Sequence, residues 1–314
     1  MRNVLFCGLL CLALVPLAAA PAWAEDDAVS EETEFETFHI GLKGGFWYRP
    51  SIRMNAQVSG LGIGGGLPVP LRGTEIDLER DLGVGESPHS DISVDLNAEA
   101  VLEFMPFVET RWVGVYGWFV VPFEYRGKKV VERSLQFGNG NFTASTTVDS
   151  KFRQLFFGTD VTINIFNNRF FRIAPLVGLR ALGVDWEVKT TTTAGPVSNV
   201  QKGDTSDLKS PLQLGDFQIL PHPEIGALFA VGYRDYIDVT LRLATAYVNY
   251  LGMQGATYRV EFSVTAYPVP WVGIELGARY LEYDLSSQAN QGKRGAFDFD
   301  LEFGGLTIAL IVRL

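Results

Sequence analysis

The chain has 314 residues and a formal net charge of −10 at pH 7, from 26 Lys and Arg against 36 Asp and Glu. That acidic balance weighs against nucleic acid as a partner and against simple attraction to anionic lipid. The two cysteines, Cys7 and Cys11, both lie close to the N-terminus. The rest of the chain therefore has neither a disulfide framework nor a thiol metal site.

The first element is a leader. Arg2 gives a positive start, an apolar run follows from Val4 to Ala20, and Ala22-Trp23-Ala24 forms a small-x-small cleavage site before Glu25. Residues 1–24 read as a secretory signal peptide, 25–36 as a short periplasmic segment and 37–314 as the folded body. Export without cysteine fits a bacterial envelope. Beyond the leader no apolar run reaches the roughly 20 residues of a membrane helix.

The body reads as strands of period-two alternation. Phe38, Ile40, Leu42 and Phe46 alternate with Lys43 and Trp47. In the stretch DISVDLNAEAVLEF, Ile92, Val94, Leu96, Ala98, Ala100, Leu102 and Phe104 alternate with Asp91, Asp95, Glu99 and Glu103. A third strand sets Val113, Val115, Phe119, Val121 and Phe123 against Trp112, Tyr116, Trp118 and Glu124. A fourth sets Leu155, Val161 and Ile163 against Asp160 and Thr162, and a fifth Ile173, Val177 and Leu179 against Arg172 and Arg180. The next four repeat the pattern, with His222 and Glu224, Asp238 and Arg242, Arg259 and Glu261, and Glu275 and Arg279 on their polar rows. The last runs from Phe297 to Leu314, with a change of phase at Gly304-Gly305 that reads as a bulge and puts Asp300 and Glu302 on the polar row.

Ten strands result. A missed hairpin in the first long loop would make twelve, and a wrongly split segment eight. Connections after even-numbered strands are short: MPFVE, FNNR, GYRDY and PVPW. Three of the others are long: Ser59–Ser90, Gly127–Thr147 and Lys189–Leu214. Short turns at one end and long loops at the other suit an all-β, antiparallel, up-and-down transmembrane β-barrel with both termini in the periplasm. Aromatic pairs flank the short turns and read as a periplasmic girdle: Phe104 and Phe107, Phe166 and Phe170, Tyr233 and Tyr236, Tyr267 and Trp271. In such a barrel the apolar rows face lipid. The charged rows then share the lumen, namely Asp95, Glu99, Glu103, Glu124, Asp160, Arg172, Arg180, Glu224, Arg242, Arg259, Glu261, Glu275 and Arg279.

The segment TEIDLERDLGV, Thr74 to Val84, resembles an Ile-Asp-Leu-x-x-Asp-Leu-Gly stretch of many Gram-negative outer-membrane β-barrel proteins. The resemblance implies a barrel delivered by the envelope export and barrel-assembly machinery into outer-membrane lipid. Those families usually end in Phe or Trp, where this chain has Leu314. Ile76, Asp77, Leu78, Asp81 and Leu82 in that segment are candidates for a lid over the barrel mouth, and its carboxylates for a weak divalent-ion site.

Other motifs carry less chemistry. Gly60-x-Gly62-x-x-Gly65 lacks the helix a dinucleotide site needs, since Leu-Pro-Val-Pro follows it. His89 with Asp91 is the one catalytic candidate, because a carboxylate beside a histidine can hold its tautomer. With three histidines and no metal-ligand spacing, neither a metal centre nor a cofactor is expected, and the chain reads as a non-enzyme. Its leading role is structural or surface interaction through extracellular loops with a partner the sequence does not name. The alternative is a narrow cation-preferring channel built on the lumen carboxylates, and the third a hydrolase at the rim.

Overall fold

A computed structural model describes residues 38–314, except 59, 65–66, 72–75, 85–87, 91–99, 138–139, 143, 169, 192–199, 205–211, 215–216, 234–235, 251–252 and 288–296. The ten expected strands are present: β1 (Phe38–Val58), β2 (Ala100–Thr110), β3 (Val113–Val130), β4 (Thr147–Ile163), β5 (Phe171–Thr191), β6 (Phe217–Tyr233), β7 (Ile237–Tyr250), β8 (Met253–Val269), β9 (Val272–Ser287) and β10 (Phe297–Arg313). Each pairs antiparallel with the next, and β10 returns to β1 from Gly41 opposite Arg313 to Val58 opposite Phe297. The sheet is a closed, all-β, up-and-down barrel. Closure pairs the backbone of every wall strand on both sides, which removes the exposed edges an open sheet would present.

The wall has two zones, and side-chain chemistry inverts between them. Toward the short turns the outward rows are apolar: Ile173, Val177 and Leu179 on β5, Ile274 and Leu276 on β9, and Leu306, Ile308 and Leu310 on β10 are all exposed. Along β1 that outward row runs from Phe38 to Tyr48. The ten rises between them at ~3.4 Å each, tilted by ~40°, span roughly 26 Å, close to the ~25 Å apolar band of a membrane barrel. Toward the long loops the outward row carries Lys151, Arg153, Asp185 and Asp284, while Phe152, Val184, Tyr283 and Leu285 fill the inside.

That inversion corrects the reading of the last strand. β10 runs without a break in register along β9. Phe299, Leu301, Phe303, Thr307, Ala309 and Ile311 all lie buried on one face, so the apparent change of phase at Gly304-Gly305 is a change of environment along a regular strand. Asp300 is exposed and Glu302 half-exposed on the outer face, not in the lumen. The irregularity sits across the ladder, in β1 between Tyr48 and Ser51. Pro50 lies there and has no N–H to give the ladder.

A second irregularity, in β3, shifts its register against β4 between Gln154 and Phe156. Two β3 residues between Val120 and Phe123 face one residue of β4, so the alternation changes phase. Phe123 turns inward and Glu124 turns outward, opposite Arg153. Glu124 is thus not a lumen residue; it pairs with Arg126 and with Lys151 (2.6 Å) on the outer face.

The first long loop does carry a hairpin, Gly60–Gly64 with Leu67–Leu71, but it forms its own sheet and the barrel stays at ten strands. Gly60 and Gly62 therefore lie on a strand rather than at a helix N-terminus. The next long loop also carries a hairpin, which pairs Leu135–Phe137 with Gly140–Phe142.

Candidate functional site

Three layers fill the described lumen. The central one is charged. β4, β5, β6 and β8 bring Asp160, Arg180, Glu224 and Arg259 together, each at most 3% exposed. Arg180 donates to Asp160 at 2.6 Å, and Arg259 reaches Asp160 at 3.0 and 3.2 Å and Glu224 at 3.0 Å. Arg180 also stands 3.7 Å from Glu224. Next to this quartet Arg279 bridges Glu103 and Glu261, the latter at 3.0 Å, and Arg259 lies 3.5 Å from Glu261. Lys43 pairs with Glu275. Alternation explains the layer, because each of these residues sits on the inward row of its strand. Such groups are retained inside a protein only when paired, since an isolated buried ion is strongly disfavoured.

The second layer lies on the long-loop side and is made of rings. Phe156 of β4 sits at its centre, 5.2 Å from Phe303 at 87°, 5.9 Å from Trp118, 6.1 Å from Phe123 and 6.3 Å from Trp47 and Tyr283. These separations are those of attractive ring pairs. Trp47 fits because β10 offers Gly305: a Cβ there would lie 2.3 Å from the indole nitrogen. The charged layer and the rings are joined, with Arg180 4.3 Å over the Trp118 ring and Arg279 5.0 Å from it.

The lid candidates add to this cluster from the first long loop. Ile76 pairs with Ala56 of β1, and a short helix, Leu78–Leu82, follows. Ile76, Leu82 and Val84 are each 1% exposed within the same buried cluster as Trp47 and Phe156. Asp77 caps the helix, accepting from the Arg80 N–H at 2.9 Å, while Asp81 accepts from the Asp77 N–H at 3.0 Å. Asp81 also pairs with Arg133 at 2.7 Å. Burial opposes its charge, but the Arg133 and Arg80 guanidiniums and the Asp77 N–H outweigh that, holding the carboxyl below its ordinary value. These carboxylates thus serve the helix and two arginines, not the arrangement of a calcium loop. Gly127 of β3 seats the helix end: a Cβ there would meet the Leu82 carbonyl oxygen and the Gly83 carbonyl carbon at 2.6 Å.

The third layer is an open vestibule of about 810 Å³ on the short-turn side. Its walls include Lys43, Glu109, Tyr116, Arg172, Asp238, Arg242 and Tyr267, and Leu314 lies at its rim. Arg172 pairs with Glu109 at 2.8 Å, and Tyr116 donates to the same carboxylate. Tyr116 stood on the expected inward row, but Glu109 was not among the expected charge network. The signal was available, because the row Glu103, Met105, Phe107, Glu109 continues through the segment MPFVE. That segment is strand, and the chain reverses later, at Arg111-Trp112.

That displacement also corrects part of the aromatic girdle. Phe107 points inward and stacks on Tyr116 at 6.4 Å, and Phe104 lies mid-strand opposite Phe119. Tyr267 lines the vestibule, with Arg313 4.0 Å over its ring. Trp112, placed inward by alternation, is 65% exposed at the turn. Phe166, Phe170, Tyr236 and Trp271 are exposed at the short turns, and Tyr233 stacks on Tyr236 at 5.3 Å.

The remaining candidates divide simply. His222 lies inward, its Nδ1 3.2 Å from the Leu220 carbonyl oxygen and its Nε2 3.5 Å from Glu224, so it joins the charged layer. Asp91, Asp95 and Glu99 lie outside the described residues. His89 is placed by its backbone, which pairs opposite Glu124. With Glu124, Asp300 and Glu302 on the outer face, the described lumen sets Glu103, Glu109, Asp160, Glu224, Asp238, Glu261 and Glu275 against Lys43, Arg172, Arg180, Arg242, Arg259 and Arg279. That is close to electrical balance. The acidic excess behind a cation-preferring bore is largely gone from these residues.

No family model matches the chain, and no curated relative matches it. Solved structures similar to it include the outer membrane protease OmpT from Escherichia coli, at 7% identity and a TM-score of 0.44, covering 92% of this chain and 99% of that one. Ail, the attachment invasion locus protein of Yersinia pestis, matches at 9% identity and a TM-score of 0.29, covering 88% and 99%. The Pseudomonas putida toluene transporter TodX matches at 6% and 0.29, covering 89% and 90%. The three differ in their named activities, and likeness at this level says nothing of what the present chain does.

Proposed function

We propose that the chain is an integral barrel of a Gram-negative outer membrane, exported by residues 1–24, which acts through its long-loop end and does not conduct solutes. The observation that carries this reading is the filled lumen. A permeating ion would have to part the Asp160–Arg259–Glu224 contacts and then pass the rings packed on Phe156. The exposed apolar zone of the wall supports a lipid environment, and the exposed aromatic residues at the short turns support a membrane interface on that side. The polar outer face of the other zone fits a barrel that rises out of the bilayer into water, carrying its own apolar interior. The lid residues stabilise that interior.

The channel reading would require the central layer to open. The rim-hydrolase reading gains no geometry, since Asp91 lies outside the described residues and His89 is fixed only by backbone pairing. Treating intact cells with trypsin tests the orientation. Cleavage confined to the long-loop end, with the short turns cut only after the outer membrane is opened, is the expected result. Cleavage at the short turns of intact cells would overturn it.

A further inference from the structure

The vestibule contains a cation with unused hydrogen-bonding capacity. Arg242 projects from β7 over the face of Tyr116, 4.6 Å from its ring centre. Its carboxylate contact is Glu261 at 3.8 Å, and that carboxylate lies closer to Arg279 (3.0 Å) and Arg259 (3.5 Å). Its Nη1 meets the Met105 sulfur at 3.7 Å, a weak acceptor, and its buried Nε has no acceptor among the described residues. Arg172 reaches the same Tyr116 from the hydroxyl edge, 3.3 Å from the oxygen, and its Nε is likewise buried without an acceptor. Residue Arg172 is 8% exposed. Two guanidiniums thus converge on one ring at the wall of a cavity open toward the short turns, each with a buried Nε that lacks an acceptor, Arg172 being also held by Glu109 at 2.8 Å. A planar carboxylate matches a guanidinium fork, and charge-assisted bonds of that kind are the strong ones.

We propose that this vestibule is a binding site for a small aromatic carboxylate entering from the short-turn side, with its carboxylate on Arg242 and Arg172 and its ring among Phe107, Tyr267 and Trp271. The cavity volume of about 810 Å³ accommodates such a molecule, and known ligand pockets span ~300–1,000 Å³. The site lies at the opposite end of the barrel from the loops and is independent of the role proposed for them.

The test is isothermal titration of the refolded full-length chain in detergent micelles with sodium benzoate, and with benzyl alcohol as the neutral analogue of nearly the same shape. Benzoate binding at least tenfold tighter than benzyl alcohol is expected. Arg242→Gln should weaken benzoate at least tenfold and leave benzyl alcohol unchanged. Thr240→Trp, which fills the cavity beside Arg242 without removing a charge, should abolish both. Lys128→Gln, on the outer face near the loops, should change neither. Equal binding of the acid and the alcohol to the unaltered chain would overturn the proposal, as would no benzoate heat up to 50-fold molar excess at millimolar ligand (roughly the 4 kcal/mol range). Benzoate binding untouched by both Arg242→Gln and Thr240→Trp would also overturn it, because the site would then lie elsewhere.

Discussion

Arg259→Met removes the cation that Asp160 and Glu224 share. In the native layer Arg180 and Arg259 balance those two carboxylates, all four at most 3% exposed. After the substitution one guanidinium, Arg180, faces two buried negative charges at 2.6 and 3.7 Å. Breaking a buried pair on one side costs about 3–5 kcal/mol, because a charge is left without compensation. Asp160→Asn alone should cost a similar amount with the opposite sign of excess, leaving two arginines on Glu224. The double variant restores balance, with Arg180 on Glu224. It should therefore be less destabilised than the sum of the singles by at least ~2 kcal/mol. Urea unfolding of the chain in lipid vesicles, followed by tryptophan emission, measures all four corners of the cycle. Additive losses would refute the reasoning, since they would mean the layer is hydrated and its charges act independently.

Other consequences are as direct. Gly127→Val drives a side chain into the backbone of Leu82 and Gly83, so tryptic cleavage after Arg80 should accelerate at least tenfold while the barrel core stays resistant. The Asp81 carboxyl is held below its ordinary value, so its share of lid stability is complete above pH ~4 and lost as pH falls through the folded value. Protection of lid amides, taken relative to intrinsic exchange at each pH, should fall on acidification below that point, and Asp81→Asn should remove the dependence. The regular register of β10 predicts that Asp300→Cys reacts with a membrane-impermeant maleimide and Leu301→Cys does not; the native cysteines are Cys7 and Cys11. Reaction at Leu301→Cys would restore the bulge to β10.

The barrel was legible in the sequence because a wall strand of a closed barrel meets one environment on each side, and alternation reports that contrast directly. Strand number followed from the turns. What alternation could not show was where the contrast changes sign. Strands of 16–21 residues, such as β5 and β9, exceed the roughly 9–11 a bilayer needs, and the surplus lies in a zone with apolar inside and polar outside. With Asp300 and Glu302 read into the lumen, Leu301 and Phe303 read there as lipid-facing, although both are buried in the cluster around Phe156. The bulge in β3 hid for a related reason. An inserted residue in β3 and a change of environment in β10 give the same pattern on one strand, and only the partner's register tells them apart. Glu109 was missed because the turn was placed at Pro106 rather than Arg111, which cut its row short.

The central claim is that the lumen is filled. Single-channel recording of the refolded chain in planar bilayers, with folding shown by heat-modifiable migration, tests it most directly. No conductance steps are expected in molar potassium chloride, and none when the lid is loosened by Gly127→Val, because the charged layer and the rings remain. Stable, cation-selective steps from the unaltered chain would contradict it and make the lumen a path.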